Sequence, residues 1–581
     1  MPTRLNGRDK PAGNGGRHAE LLSALDSHDL ASTIDPIEDS DTADSDVDQR
    51  ADPADVFPQS VASGGPTSTG VILWTRLHPE QFDPNESLTV QVATDIEFAD
   101  IVFEGAVTDE IRIKAHDYTI KVDLDGRLES DTEYYYRFIY NSVASRTGRC
   151  QTLPTPDSSP ESVSFAVLTC QNYLNGYFPA LHYVAEEDVD FVLHLGDFIY
   201  ESEDGAFKGL GSYEYEGREK QLPSGRDRVW SLEDYRYLYR TYRSDRFLQE
   251  ALENHTLIAS WDDHEMVNDI YWDHTTDAPA GDHPRGDDPE FMSELVADGI
   301  HAWWEFMPAR VSYNPGGESL QERIQLWREL EFGDRCHLLL TDERLFRDPP
   351  REAIPTADNV GPHREPPGRT MLGEEQREWL IKGITTDEAQ WTVWADEVLT
   401  SPFRFGSGPL SVYPVQGGWD GYTRERQRIT EAIAAEAVEN FVSITGDMHC
   451  CIAAYLQDSY PGRVSGGSGV AQGKRIGVEF MTPATTSLNA AEALHLTRGL
   501  RNRLTKSILS RLVEWMNPHI EFFDSHHWGY SVIEFTPEEC RYVAYAVDKT
   551  ENSDDADKTV ITAYRVSDGT KNLVEITEDY I

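Results

Sequence analysis

Residues 190–201, DFVLHLGDFIYE, bring a carboxylate and a phenol to the end of an apolar run. Phe191, Val192, Leu193 and Leu195 suit a buried strand. The chain then turns at Gly196 and presents Asp197, with Tyr200 three residues on. An Asp after a strand also serves as a helix cap, and a Tyr also packs, so this run alone has two readings. The same arrangement recurs along the chain. VSFAVLTCQN (163–172) ends at Cys170, and HTLIASWDDHE (255–265) ends in Asp262, Asp263, His264 and Glu265. CHLLLTDER (336–344) ends at Asp342, WTVWADE (391–397) at Asp396, and NFVSITGDMHC (440–450) in Gly446, Asp447 and His449. In open α/β sheets the site lies outside the carboxyl ends of the strands. The expectation is that strands of one sheet deliver Cys, Asp, Tyr, Asp, His, Asp and His to one edge.

Those residue types point to metal chemistry. Oxygen donors at Asp197, Asp263 and Asp447 suit a hard divalent ion, while Cys170, Tyr200 and His449 suit a transition metal. Asp197, with ligand types on both sides, is placed to bridge two ions. Two ions about 3.5–4 Å apart clamp the oxygens of an in-line phosphoryl displacement. No Ser–His–Asp arrangement, GxSxG turn or P-loop competes in the sequence. Without a side-chain nucleophile, hydroxide on a metal is the expected attacker.

The elements that must position these residues belong to a long chain. At 581 residues it exceeds one ordinary core, so two or more domains are expected. Asp and Glu number 102 against 51 Lys and Arg, a formal charge of -51. Only 11 of the basic residues are Lys, against 40 Arg. Acid enrichment with scarce Lys suits a halophilic surface. Thirteen Trp, 26 Tyr and 22 Phe exclude a disordered acidic polymer. No basic stripe supports a general nucleic-acid-binding role. The six cysteines (150, 170, 336, 450, 451, 540) have no CxxC spacing, so neither a zinc ribbon nor a disulfide framework is expected. No run of about 18 apolar residues predicts a membrane span.

Residues 1–54 read as an acidic, disordered tail. They lack an apolar leader core and a twin-arginine pair, which points to a soluble cytoplasmic protein with an extracellular location left open. Residues 55–155 carry TGVILWTRL, SLTVQVATD, HDYTIKVDL and TEYYYRFIYNS, short β runs that predict a fibronectin type III-like β-sandwich. LPTPDSSPES (153–162) is a linker. From 160 to 581 strands alternate with helical stretches, as in a layered α/β architecture. An insertion at 203–250 leads into one predicted helix over WSLEDYRYLYRTYRSDRFLQEAL, capped by Ser231. TRERQRITEAIAAEAVENF predicts another, with Ile429, Ile433 and Ala437/Val438 on its apolar face.

The ordered blocks VFPQSVASGGPTSTGVILWTRL, LTCQN, HLGDFIYE, WDDHEMVND, WWEFMPAR, TDERLFR, RTMLGEEQREWL, WDGYTRER, TGDMH and DSHHWGYSVIEFTP resemble the PhoD-type alkaline phosphatases. These are a branch of the calcineurin-like metallophosphoesterases, and the resemblance spans roughly residues 56–540. It implies a four-layer metallophosphatase α/β/β/α sandwich, preceded by a small all-β fibronectin type III-like domain. It also implies iron(III) and calcium, or other divalent ions, at the strand ends. By this resemblance Cys170 replaces the first acidic ligand, Asp197 bridges, and Tyr200 fills the second acidic position. Asp263 takes the usual Asn position and His264 is the catalytic histidine. Asp447 lies on the calcium side and His449 on the iron side, with Asn268 touching a second calcium or the phosphate. The implied activity is hydrolysis of phosphomonoesters, phosphodiesters or both, in small-molecule, nucleotide or phospholipid substrates. His264 would aid the leaving group, while Arg344 and Arg347 either contact phosphate or pair with carboxylates. The reading from another class is a catalytically silent binding protein that uses the β-sandwich. Two positions depart from the family: Trp528 stands where many members have His, and Asp396 where Asn is common, so neither is assigned as a ligand.

If the acid-rich, Lys-poor surface is a halophilic adaptation, carboxylate repulsion unfolds the chain when salt is withdrawn. Tryptophan fluorescence followed during dilution from molar KCl should report unfolding before about 0.1 M salt. A signal unchanged at that point removes the halophilic explanation.

Overall fold

The computed structural model describes residues 34–36, 51–107, 110–202, 215–350, 365–386, 388–406, 412–460, 473–496 and 500–577. β-Branched and aromatic runs separated by turns form β1 (Ile34–Pro36), β2 (Val61–Thr67), β3 (Gly70–Arg76), β4 (Leu88–Ala93), β5 (Ile101–Val107), β6 (Thr119–Asp123), β7 (Glu133–Tyr140) and β8 (Gly148–Gln151). β1, β5, β4, β7 and β8 make one small sheet. Its inward Val90, Val92, Phe103, Tyr136 and Phe138 meet Val71, Leu73, Ile120 and Val122 of β3 and β6. β1 lies inside the span expected to be an acidic tail, and pairs antiparallel with β5. Residues 1–33 and 37–50 of that span lie outside the described residues.

The region from residue 163 onward holds two sheets packed face to face. In the first, β9 (Val163–Leu168), β10 (Phe191–His194) and β11 (Thr256–Ala259) run parallel. In the second lie β12 (Arg328–Phe332), β13 (Cys336–Leu340), β14 (Trp391–Ala395), β15 (Phe441–Thr445), β16 (Cys451–Gln457), β17 (Arg475–Met481) and β18 (Ile520–Asp524), in the order β12-β13-β14-β15-β17-β16-β18. β19 (Gly529–Phe535), β20 (Glu539–Val547) and β21 (Lys558–Ser567) return to the first sheet beside β9. Phe165, Leu193, Ile258, Leu338, Val393, Ile444 and Phe480 interdigitate between the two sheets. The expectation that one sheet collects all the strand ends is therefore corrected. Apolar runs report that strands are buried, but which strands share a sheet is decided by long-range pairing.

Helices cover both outer faces. α1 (Pro179–Glu186), α2 (Leu232–Tyr242), α3 (Arg246–Asn254) and α4 (Pro289–Phe306) bury Leu181, Leu238, Leu248 and Val296 against Ala166, Val192 and Leu257 of the first sheet. α5 (Gly373–Thr386) and α6 (Thr423–Ala435) bury Leu380, Ile429 and Ile433 against Leu339 and Trp394 of the second. α7 (Leu500–Met516) leads into β18. The result is the expected α/β/β/α sandwich with a small all-β unit before it. Two helical expectations need correction. The helix predicted across 230–252 is two, because Asp245 accepts from Phe247 N at 2.9 Å and Leu248 N at 3.3 Å and starts a new helix. Ser231 makes no side-chain cap; Asp234 accepts instead from Trp230 N at 2.7 Å. α6 stops at Ala435 and Ala437 turns to φ 54°, so Val438 lies beyond the helix, whose fully buried apolar residues are Ile429 and Ile433.

The β-sandwich and the catalytic sheet are joined by main-chain pairing. β2 lies parallel to β11 through Ser63 and Gly64, so β2, β3 and β6 extend the first sheet. A Cβ on Gly64 would stand 2.3 Å from Pro308 O and 2.6 Å from Leu257 O, so the approach requires glycine. Buried ion pairs lock the same junction. Glu305 accepts from Arg236 Nε at 2.7 Å and lies 3.1 Å from His116 Nδ1 and 2.8 Å from His301 Nε2. Asp117 binds Arg76 at 3.1 Å and Arg240, one turn beyond Arg236, at 2.7 Å.

Burial alone would raise the Glu305 carboxyl, but hydrogen bonds from Arg236, His116 and His301 outweigh it and hold it well below its ordinary 4.5. Its contribution to stability is therefore complete above that value and is lost as the pH falls below it. Glu305→Gln leaves Arg236 without its counter-charge and should cost about 2–4 kcal/mol at neutral pH. The thermal midpoint should drop accordingly, and the acid limb of stability against pH should become shallower than in the wild type. Equal midpoints for the two proteins would show that the junction does not depend on this pair.

Candidate metal centre

The loops after β9, β10, β11 and β15 converge, and their backbone is held in an uncommon shape. Cys170, Asp197, Asp447 and His449 have φ of 55°, 58°, 68° and 51°. Left-handed backbone at a non-glycine residue costs roughly 1–2 kcal/mol, and such residues persist where the surroundings over-determine them, commonly at functional sites. Gly196, at φ 120°, precedes Asp197, and a Cβ there would meet Asp262 N at 2.3 Å. The Glu265 carboxylate fixes the turn by accepting from Asp197 N at 3.0 Å, Phe198 N at 2.6 Å and Asp262 N at 2.8 Å. Burial and the Asp197 charge push the Glu265 pKa up to about 8.

Donor atoms of Cys170, Asp197 and His449 lie within 4.8 Å of one another, as do those of Asp197, Asp263 and His264, and those of Asp262, Asp263 and Asp447. The three groups share members and form one centre. Tyr200 Oη donates to Asp197 Oδ2 at 2.7 Å and lies 3.3 Å from His449 Nε2. Ser487 Oγ donates to Tyr200 Oη at 2.6 Å, and His449 Nδ1 contacts Leu488 O at 2.8 Å. The latter contact leaves Nε2 free to face the other donors. The His264 ring centroid lies 4.0 Å from that of Tyr200 with the planes tilted by 32°, and Nδ1 is 2.6 Å from Glu201 Oε2.

The structure thus gathers Cys170, Asp197, Tyr200, Asp263, His264, Asp447 and His449. Asn268 is half-buried, its amide N–H on the same Glu201 that holds His264, at 3.3 Å, and its side chain 3.5 Å from Asp282. Arg344 and Arg347 pair with carboxylates: Arg344 with Asp262 and, at 2.6 Å, Asp447; Arg347 with Asp269 at 3.5 Å. Asp396 accepts from Trp419 Nε1 at 2.7 Å and Thr400 Oγ1 at 2.9 Å, a structural role. Trp528 donates to Ser487 O at 2.9 Å and braces the loop from behind, while His527 pairs with Asp524 at 3.1 Å. Glu201, Glu265, Asp262 and Ser487 carry roles that the sequence reading did not assign. Ser487 had a usable signal, since it follows the end of another buried strand, β17 at Met481.

Charge and donor chemistry together test whether this centre suits metal ions. Asp197 is pushed up to about 6 by burial, and burial likewise raises the Cys170 thiol and the Tyr200 phenol, with the Asp197 charge adding to both. Asp263 sits at about 2, because Arg344 and His264 outweigh its burial. Asp262 Oδ2 is buried without a hydrogen-bond partner. Asp197 belongs to two donor groups, one with Cys170 and His449 and one with Asp263 and His264. Buried anions of this density call for cations, and sulfur in one group with only oxygen and imidazole donors in the other fits two ions of unlike hardness.

Comparison with known proteins agrees with this geometry. The family model described as PhoD-like phosphatase matches residues 165–543, and that of its N-terminal domain matches residues 41–154. Alkaline phosphatase D of Bacillus subtilis (strain 168) is 30% identical over 546 residues, which is 90% of this chain and 85% of that protein. A solved structure described as "Structure of PhoD" superposes with a TM-score of 0.73 at 27% identity, covering 90% of this chain and 92% of that one. On the strength of both domain matches in their proper order, the chain belongs to the PhoD-like phosphatase family and is a phosphoric ester hydrolase.

Proposed function

We propose that the enzyme hydrolyses phosphomonoesters, phosphodiesters or both at a mixed iron–calcium centre. The observation that carries this reading is that Asp197 is shared by two donor groups, one with Cys170 and His449 and one with Asp263 and His264. Cys170, Tyr200 and His449 would hold iron(III), Asp263 and Asp447 would hold calcium, and Asp197 would serve both. When bound, the ions supply charge to the phosphate oxygens and activate a water. The remaining work falls to the protein. Glu201 holds His264 Nδ1 at 2.6 Å and fixes the ring, so that its other nitrogen can deliver a proton to the departing oxygen. Arg344 keeps Asp262 and Asp447 in place, while among the described residues Asp197 has no guanidinium partner. Ser487 donates to the Tyr200 oxygen and so favours its ionised form. Asn268 would touch a second calcium or the phosphate.

Hydrolysis of para-nitrophenyl phosphate and bis-para-nitrophenyl phosphate, with and without added calcium, tests the proposal. Turnover of at least one, stimulated by calcium, is expected; no hydrolysis of either by a metal-replete sample would sink it. Tyr200 allows a sharper check. A phenol titrates at about 10 in water, so only a nearby trivalent ion holds this buried one ionised at neutral pH. The purified holoprotein should therefore be coloured. Tyr200→Phe should lose the colour and about 10–100-fold in activity, with the fold intact. His264→Ala should keep colour and metal but lose about 10²–10⁴-fold in turnover. Asp197→Asn should weaken retention of both ions together. A colourless wild type with full iron content by elemental analysis returns Tyr200 to packing.

A further inference from the structure

Large apolar side chains are sparse on the described surface, and several gather on one element. Ile508, Leu512 and Trp515 of α7 are 64%, 45% and 50% exposed. Their spacing of four and then three residues sets them on one face of the helix. Phe405, 37% exposed, joins them at the helix end, where Arg404 Nε donates to Met516 O at 3.0 Å. The inner side of α7 is already used: Val513 and Leu509 pack with Ile452, Ile520 and Phe523. The helix is therefore apolar on two sides, and one of them faces solvent.

Charge on this segment runs against the rest of the chain. Acidic residues outnumber basic ones 102 to 51 overall, yet residues 498–511, RGLRNRLTKSILSR, hold five basic residues and no acidic one. Arg511 is exposed, three residues after Ile508 and four before Trp515, and so lies beside the bare stripe. A basic helix carrying Trp and aliphatic residues on an exposed face has the make-up of an interfacial helix. No helix among the described residues is long and apolar enough to cross a membrane.

We propose that the Ile508–Leu512–Trp515 face of α7 docks the enzyme on an anionic lipid surface. A symmetric dimer through the same stripe would set two basic segments against each other. The acidic remainder of the protein is repelled by an anionic bilayer, so only this face makes contact and the orientation is fixed. α7 also connects to the candidate metal centre. Lys506 Nζ lies 3.0 Å from Asp524, which accepts from His527 N at 3.1 Å; Trp528 next along donates to Ser487 O, and Ser487 donates to Tyr200. If the linked centre works on lipid phosphates, docking through α7 serves it, a consequence that rests on the phosphoesterase reading.

The test is co-sedimentation of the full chain with sucrose-loaded phosphatidylglycerol vesicles, at the lowest KCl that keeps its tryptophan fluorescence native. Wild type should pellet with these vesicles and less with phosphatidylcholine. The double variant Leu512→Gln/Trp515→Gln should bind at least about tenfold more weakly and hydrolyse soluble para-nitrophenyl phosphate at the wild-type rate. Should that variant misfold by circular dichroism, Arg511→Glu supplies the same comparison. No sedimentation of wild type, equal sedimentation of a folded variant, or equal binding to both lipids would overturn the proposal. So would a dimer, seen by analytical ultracentrifugation, that the variant splits without any vesicle binding. Vesicle binding without hydrolysis of any phosphate ester would leave the docking face standing and remove the phosphoesterase centre instead.

Discussion

Four aspartates held side by side away from water are the constraint around which this molecule is arranged. Asp197, Asp262, Asp263 and Asp447 come from three loops and two sheets, and all are at least partly buried. Arg344 meets three of them. An isolated buried carboxylate would take up a proton to escape the cost of desolvation. The fold opposes this with a guanidinium, with main-chain donors, and with a donor set suited to further positive charge. Each device requires rigid placement, and rigidity comes from the packed layer between the sheets.

The strand ends perform that placement at a cost in backbone energy. Four ligand-type residues adopt left-handed backbone, and Glu265 spends both carboxylate oxygens on main-chain N–H groups of the neighbouring turns. Glu265 takes no place among the donor groups, yet without it the Asp197 and Asp262 turns would have no common anchor. Buried tyrosines of α2 act in the same way: Tyr242 Oη accepts from Tyr200 N at 3.1 Å, holding the phenol-bearing turn from behind.

The sequence displayed the donors themselves because each follows an apolar run and a turn residue, and both signals are local. Cys170, Asp197, Tyr200, Asp263, His264, Asp447 and His449 were visible on that basis. Residues that orient them were not, since Glu201, Glu265 and Ser487 act through distances between segments far apart in the chain. The split into two sheets was hidden for the same reason: a buried strand reads alike in either. The break between α2 and α3 was missed because Asp245 resembles any polar position of a continuing helix until its side chain is seen capping Phe247 and Leu248.

The pairing of β2 with β11 bears on how the two halves of the protein depend on each other. Sequence families place a boundary between residues 154 and 165, whereas the hydrogen-bonded sheet runs across it. Excising the sandwich would strip β11 of its neighbour and expose a flat, apolar edge of parallel sheet. Such edges recruit other strands, and their common fate is intermolecular association. The N-terminal unit therefore works as an edge protector, and the part of the chain that closes its own sheet edge is larger than the part that bears the donors.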